Sequence, residues 1–375
     1  VVKQFVPARE NVFPLTFSAL PLTFSVMSEL SENKSSAWRR ILAYPEIGLA
    51  MIMLLMFIGT ALNSRTIPID VNGVEVQQNV FTQPDNLHQI LREGSYFVIM
   101  AVGATLVLVC GGVDLSIGSI YCLSAVVGAY LMSEAPFKGR ELPAESIRIL
   151  LGAAAALTCG AVCGTLNGVL ITILKTPPFL VTLGTMLIFR CFAFLITGGR
   201  AVAGLPESYL SLGQYQLPGG FNIHVLFMLL IVALGWVFLT YSVPGRMALA
   251  VGGNEEAART AGIPVQRVKI AVYAIAGTLG GLAGLLYIAH RGAITSNDGT
   301  GFELIVIAAT VIGGASITGG RGSAIGAMLG AMFLQQINNA IVILQSNQNY
   351  EKLVVGIVII AAAGIDRLRE RVLGK

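Results

Sequence analysis

The chain has 375 residues, 55% hydrophobic and 12% charged, where a soluble domain carries roughly 25% charged residues. A mean hydropathy of +0.76, with several apolar runs reaching about the 17–25 residues that cross a bilayer, excludes a soluble domain and defines a polytopic helical membrane protein. The net charge of +4 makes no case for nucleic acid; it reflects Lys and Arg flanking the apolar runs, where such residues set topology.

Residues 1–26 read as foreign to the fold. PLTFS occurs twice, at 14–18 and 21–25, ahead of Met27-Ser-Glu-Leu. This predicts a non-native or mis-set extension rather than structure. A signal peptide fits less well, because Pro14 and Pro21 break the apolar stretch. Residues 27–45 read as a cytoplasmic N-terminal segment, 46–366 as the transmembrane domain, and 367–375 as a basic cytoplasmic tail.

Ten spans are expected, near 46–63, 94–110, 115–132, 147–174, 178–197, 222–241, 270–289, 302–318, 324–344 and 352–366. The fold class is therefore all-α. The Lys and Arg bias places both termini and the 242–269 loop inside, and leaves 64–93, 133–146 and 198–221 as the larger outer loops. Asn167–Leu174 echoes Asn339–Leu344 after one gap. In the expected topology these two stretches run in opposite directions, as an inverted repeat of five plus five helices would produce.

Gly111–Gly118, GGVDLSIG, joins two apolar spans. Asp114 is costly at membrane depth unless paired or capping a helix, and it is placed to N-cap the following span, with Ser116 as a second polar group. One reading is a tight capped turn; the other is a broken helix lining a solute path. Pro177 and Pro178 open the fifth span, where a missing N–H is harmless. Thr182 and Thr185 follow as small polar positions, and Asn167, Gln335, Gln336, Asn338 and Asn339 supply amides in other spans. Such groups serve either as interhelical glue or as the lining of a wet cavity. As a set without buried acid pairs, they suit a neutral, hydroxylated solute better than an ion. Arg190 either pairs with Glu303 or snorkels.

The five cysteines all lie in apolar runs. Cys159 and Cys163 stand i,i+4, a spacing a metal could use, but small packing residues are the plainer account. The glycine-rich stretch Gly313–Ser323 lacks the lysine of a phosphate loop, and no Walker A pattern occurs anywhere in the sequence. No metal site and no catalytic constellation is expected.

Val251–Lys269 is a polar, capped element between two apolar spans. Asn254 is a good N-cap, Glu255 and Glu256 fall in the first turn, and Glu255 stands i,i+4 to Arg259. Gly262 and Pro264 give a stop signal. The pattern predicts a helix of about two turns, too short to be stable alone. Ala257, Ala258 and Ala261 offer a small-residue face, which suits contact with a partner.

GGVDLSIGS at 111–119, LNGVLITILKTPPFLVTLGTM at 166–186, VGGNEEAARTAGIPVQRVK at 251–269 and the glycine-rich run 301–331 together resemble the permease subunits of ribose-type sugar ABC importers. The resemblance runs in order from about Ala43 to Arg371. It implies a permease homodimer in the bacterial inner membrane, a separate ABC ATPase that uses ATP and Mg, and a periplasmic-type or lipid-anchored sugar-binding protein. No cofactor bound by the chain itself is implied. The 254–262 helix resembles the family's coupling element, which carries over onto Gly253, Asn254, Glu255, Glu256, Ala257, Arg259 and Gly262. The residues expected along the solute path are Asp114, Ser116, Asn167, Thr182, Thr185, Glu303 and Asn339. The outer loops 64–93 and 198–221 are longer than the family pattern, which leaves the sugar open. A branched-chain amino-acid permease is the nearest alternative. An ion-coupled secondary transporter would call for more buried acids or a His relay, and a membrane-embedded enzyme for paired acids or a nucleophile and base.

Overall fold

The computed structural model describes residues 45–71, 74–137, 139, 141–345, 347, 350, 352–357, 360 and 364. The expectations for 1–26, for 27–44 and for the 367–375 tail lie outside them.

The helices are α1 (Pro45–Asn63), α2 (Pro84–Val109), α3 (Ile117–Met132), α4 (Glu145–Leu174), α5 (Pro178–Thr197), α6 (Glu207–Gln214), α7 (Ile223–Tyr241), α8 (Val243–Gly253), α9 (Glu255–Thr260), α10 (Val265–Arg291), α11 (Phe302–Ile312) and α12 (Ala324–Ile343). Among the described residues, seven of these are long and apolar enough to cross a membrane: α1, α2, α4, α5, α7, α10 and α12. The third and eighth expected spans form the shorter helices α3 and α11, and the tenth falls where only 352–357, 360 and 364 are described, all helical.

The fold is not purely helical. Strands β1 (Thr66–Val71) and β2 (Val74–Asn79) pair antiparallel, Val71 opposite Val74, inside the stretch read as an outer loop. That loop ends sooner than expected, because α2 starts at Pro84, a residue that fits a first helical turn. Asn79 fixes the hairpin to the bundle: its Nδ2 donates to the Ala61 carbonyl of α1 at 2.6 Å, and its Oδ1 accepts from the Phe81 amide at 3.0 Å.

The centre of the bundle is α10, which packs against α2, α3 and α4. Small residues make this possible. A Cβ on Gly160 or Gly164 of α4 would run into the α10 carbonyls of Gly277 and Tyr273, and one on Gly103 of α2 would lie 3.0 Å from the Ala276 Cα. Without a hydrophobic driving force between helices in lipid, such backbone approach supplies the packing. Helices α6 and α7 hang on the far half of α10 through Tyr209 Oη, which donates to the Leu285 carbonyl at 2.8 Å, and His224 Nε2, 2.9 Å from the Leu286 carbonyl. The apolar faces of α1, α4, α5 and α7 are largely exposed, whereas α3 is almost wholly buried. This distribution is that of a membrane protein with polar and small residues inside and oily side chains outside.

Candidate functional site

Two regions gather the residues singled out in the sequence. The first is the break between α2 and α3. Helix α2 stops at Val109, Gly111 turns with φ +77°, and α3 resumes at Ile117. Asp114 is 3% exposed, and its Oδ1 accepts from the Ser116 amide at 2.8 Å and the Ser116 hydroxyl at 2.6 Å. Asn167 Nδ2, from α4, donates to the same hydroxyl at 2.7 Å. Thr182 of α5 donates to the Val113 carbonyl at 3.3 Å, Thr185 donates to the Thr182 carbonyl at 3.3 Å, and Tyr273 of α10 donates to Val113 at 3.2 Å. Asp114, Ser116, Asn167 and Thr182 thus meet at one buried segment held by α4, α5 and α10, while the buried Thr185 bonds to Thr182 within α5.

The break is therefore more than a capped turn, and the cap expectation needs correcting. Ser116, not Asp114, occupies the N-cap position of α3, and no side chain caps that helix. Asp114 instead closes a local turn onto its second neighbour, the Asx geometry that competes with capping. Asp114 Oδ2 and Asn167 Oδ1 have no hydrogen-bond partner among the described residues. At about 1.5 Å per residue, α3 spans about 24 Å and α11 about 16 Å, short of a hydrocarbon core of about 30 Å.

Glu303 and Asn339 lie apart from this network. Glu303 opens α11, its Oε1 accepting from the Gly301 amide at 3.2 Å, and its Oε2 packs where a side chain on Gly118 would stand. The Arg190–Glu303 pair does not form. Arg190 Nη1 donates instead to the carbonyls of Ser296, at 3.1 Å, and Asp298, at 2.5 Å, in the turn between α10 and α11. Asn339 pairs with Asn86 of α2, each amide donating to the other at 2.7 and 3.2 Å, so it fastens α12 to α2.

Sequence reasoning passed over two features here. Asp298 Oδ2 accepts from the Thr295 amide at 2.6 Å and hydroxyl at 2.9 Å, a turn whose polar run Thr295–Asp298 was a readable signal. Beside it, Tyr121 stacks at an angle against both Tyr287 and Phe302, with ring centroids 5.7 and 5.4 Å apart. Those aromatics come from three helices, and nothing local announces their meeting. Cys163 is buried and Cys159 half-buried, and among the described residues no group of three His, Cys, Asp or Glu side chains could hold a metal.

The second region is α8–α9. Asn254 caps α9, its Oδ1 accepting from the Ala257 amide at 2.9 Å. The far end is closed by Gly262 at φ +82°, with the Ile263 amide on the Ala258 carbonyl at 3.0 Å and the Gly262 amide on Arg259 at 3.1 Å. That is a Schellman closure, and only glycine adopts its turning conformation without strain. Glu255 binds Arg259 at 3.1 Å and Lys269 of α10 at 2.7 Å. The Lys269 hydrogen bond holds the Glu255 carboxyl below its ordinary range, with Arg259 adding to it. Gly253, Asn254, Glu256, Ala257, Arg259 and Ala261 face outward. The three-alanine face is corrected in one respect: Ala258 is 4% exposed and belongs to an apolar cluster of its own chain that includes Val251, Val265 and Val268, so of the three only Ala257 and Ala261 face outward. Gly252 lies tight against α2, where a Cβ would meet the Val109 carbonyl oxygen, and Gly320 donates to that same oxygen at 2.9 Å.

A multi-helix membrane bundle with a buried polar break and an outward-facing capped helix has the form of a transport subunit, and the comparisons give its family. Residues 86–363 match the family described as branched-chain amino acid transport system / permease component. The chain is 36% identical to the ribose import permease protein RbsC of Escherichia coli (strain K12) over 295 residues, 78% of this chain and 88% of the relative. It is 35% identical to that of Bacillus subtilis (strain 168) over 300 residues, 78% and 88% of the two chains. Against the autoinducer 2 import system permease protein LsrC of Escherichia coli (strain K12 / DH10B) it is 34% identical over 284 residues, 76% and 80%. No solved structure matches the chain. The chain belongs to this permease family and is a permease of the ribose-type ABC importers.

Proposed function

We propose that this chain forms the path by which a ribose-like monosaccharide crosses the bacterial inner membrane, driven by a separate ABC ATPase that docks on α9 and uses ATP and Mg. The observation that carries the coupling role is α9 itself: a six-residue helix, capped at both ends, braced to α10 and presenting polar side chains outward. A helix so short is held by its caps and its tertiary contacts, and its outer face is free for a partner. The sugar follows from the ribose permeases among the relatives. The two are separate inferences.

In this reading both termini are cytoplasmic, ten spans form two inverted halves, two copies make the pore, and an extracytoplasmic binding protein delivers the sugar. The packing supports the repeat. Helix α4 packs on α10 as α12 packs on α2, and α3 packs on α4 as α11 packs on α12. In each half a long helix, α2 or α10, leads through an aspartate turn, at the buried Asp114 or the half-buried Asp298, into a short helix. The buried break at 113–116 is the segment we assign to the path, with Asp114, Ser116, Asn167, Thr182 and Thr185 at its core and Glu303 one turn away beside Gly118. Asn339 belongs to the scaffold.

The test is reconstitution of the permease with its ATPase and binding protein in vesicles. ATP-dependent uptake of D-ribose, blocked by vanadate, is expected, and Glu256→Lys or Arg259→Glu should lower uptake without loss of membrane insertion. Uptake by the permease alone, indifferent to vanadate, would point to a secondary transporter. The family description names branched-chain amino acids, so uptake of leucine in place of ribose would instead favour that second reading.

A further inference from the structure

We propose that Lys269 is a positioning residue for energy coupling: through Glu255 it ties the docking helix α9 to the first turns of α10. This rests on the assignment of α9 as the ATPase-docking element. Lys269 stands four residues into α10, and its Nζ lies 2.7 Å from Glu255 Oε2. The lysine side chain is 19% exposed, while that of Arg259, the other partner of Glu255, is 61% exposed. Glu255 thus faces two cations of different kinds. Arg259 lies on α9 itself and moves with it. Lys269 lies on the helix that packs against α2, α3 and α4 and bears the Tyr273 hydroxyl that holds the Val113 carbonyl in the α2–α3 break.

The geometry therefore lays out a short mechanical route. A push on α9 reaches Lys269 through Glu255. One turn further along α10, Tyr273 contacts the segment that contains Asp114 and Ser116. The chain between α9 and α10 is itself stiffened by the Gly262 closure and Pro264, so the short connection transmits displacement instead of absorbing it. Exposed ion pairs contribute little to stability. The role assigned to this one is geometric, and its loss should appear in coupling before it appears in folding.

The experiment uses the full assembly of permease, ATPase and binding protein in vesicles, with D-ribose as the probe. Uptake, ATP hydrolysis and co-purification of the ATPase are measured together. Lys269→Glu is expected to lower sugar moved per ATP by about tenfold with the ATPase still bound, Glu255→Lys on the docking helix to lower it at least as much, and the exchanged pair to recover to within about threefold, the behaviour of directly interacting residues. Lys269→Arg, which keeps charge and reach, should stay near the unsubstituted ratio. Unchanged coupling in Lys269→Glu, or no recovery in the exchanged pair, overturns the proposal. Release of the ATPase from Lys269→Glu also overturns it, since the residue would then serve docking. If the unsubstituted chain neither binds the ATPase nor takes up ribose, it is the underlying function that fails.

Discussion

Asn167 of α4 donates to the hydroxyl of Ser116 across 2.7 Å, joining residues 51 apart in sequence at a point where both side chains are fully buried. Ser116 passes the bond on to Asp114. The three side chains form one chain of polar groups inside an apolar bundle, so each depends on the next for its hydrogen bonding.

Asn167→Leu removes the donor and leaves the Ser116 oxygen facing hydrocarbon. A loss of about 1–3 kcal/mol is expected for such a buried orphan. Ser116→Ala in the same background removes the orphan, and part of the loss should return. Thermal unfolding of the purified protein in detergent measures both. A double variant no better than the sum of the single ones would show that the two residues act independently.

What was legible in the sequence was what is local. Asn254, Glu255, Arg259 and Gly262 lie within nine positions, and each makes the short-range bond that its spacing predicts. Span positions were legible for the same reason: α5 coincides with its expected span, and α7 differs from it by a single residue. Contacts between distant segments were not legible. Arg190 chose backbone carbonyls over Glu303 because the turn at 296–298 comes within its reach. Ala258 turns inward, joining the apolar cluster that also holds Val251, Val265 and Val268. The hairpin was missed although Asn72-Gly73 is a strong two-residue turn signal. Its strands are short and its exposed Ile67 gives no helical period, so a search for long apolar runs steps over it.

The Glu255 pairings predict a pH dependence with a definite sign. Its carboxyl is held below its ordinary value of 4.5, chiefly by the Lys269 hydrogen bond. A depressed native value means that the unfolded chain takes up the proton first as pH falls. The stabilisation is therefore complete above about 4.5, declines as pH drops through the native value, and is gone below it. Because the side chain is 44% exposed, solvent screening limits the effect to under about 1 kcal/mol. Glu255→Gln should melt slightly lower than the unsubstituted protein at pH 7, and the gap should close in acid. A gap that widens in acid would contradict the pairing.

Two neighbouring glycines should respond oppositely to the same change. A Cβ at Gly252 would collide with the Val109 carbonyl oxygen and crowd the Gly320 amide at 2.8 Å, whereas among the described residues one at Gly253 meets nothing within 4 Å. Gly252→Ala must push α8 away from the end of α2, at a cost of about 1–3 kcal/mol for overpacking. Gly253→Ala should leave the melting temperature unchanged or slightly raised, since alanine restricts the unfolded chain. Equal melting temperatures for the two variants would show that α8 does not rest on α2.

The Asn86–Asn339 pair offers a test of whether Asn339 fastens helices or lines the proposed path. Both amides are buried, they bond reciprocally, and Asn86 Nδ2 also reaches the Phe81 carbonyl at 2.8 Å. Asn339→Leu strips Asn86 Oδ1 of its donor, so the first consequence is lost stability of about 1–3 kcal/mol. Replacing both residues by leucine removes that orphan, and the pair should be more stable than the single variant suggests. The Phe81 carbonyl still loses its partner, so recovery is incomplete. Uptake per folded molecule should stay near normal in Asn339→Leu once the amount of assembled protein is counted. If uptake per assembled molecule collapses while the melting temperature holds, Asn339 contacts the solute and belongs with Asn167 after all.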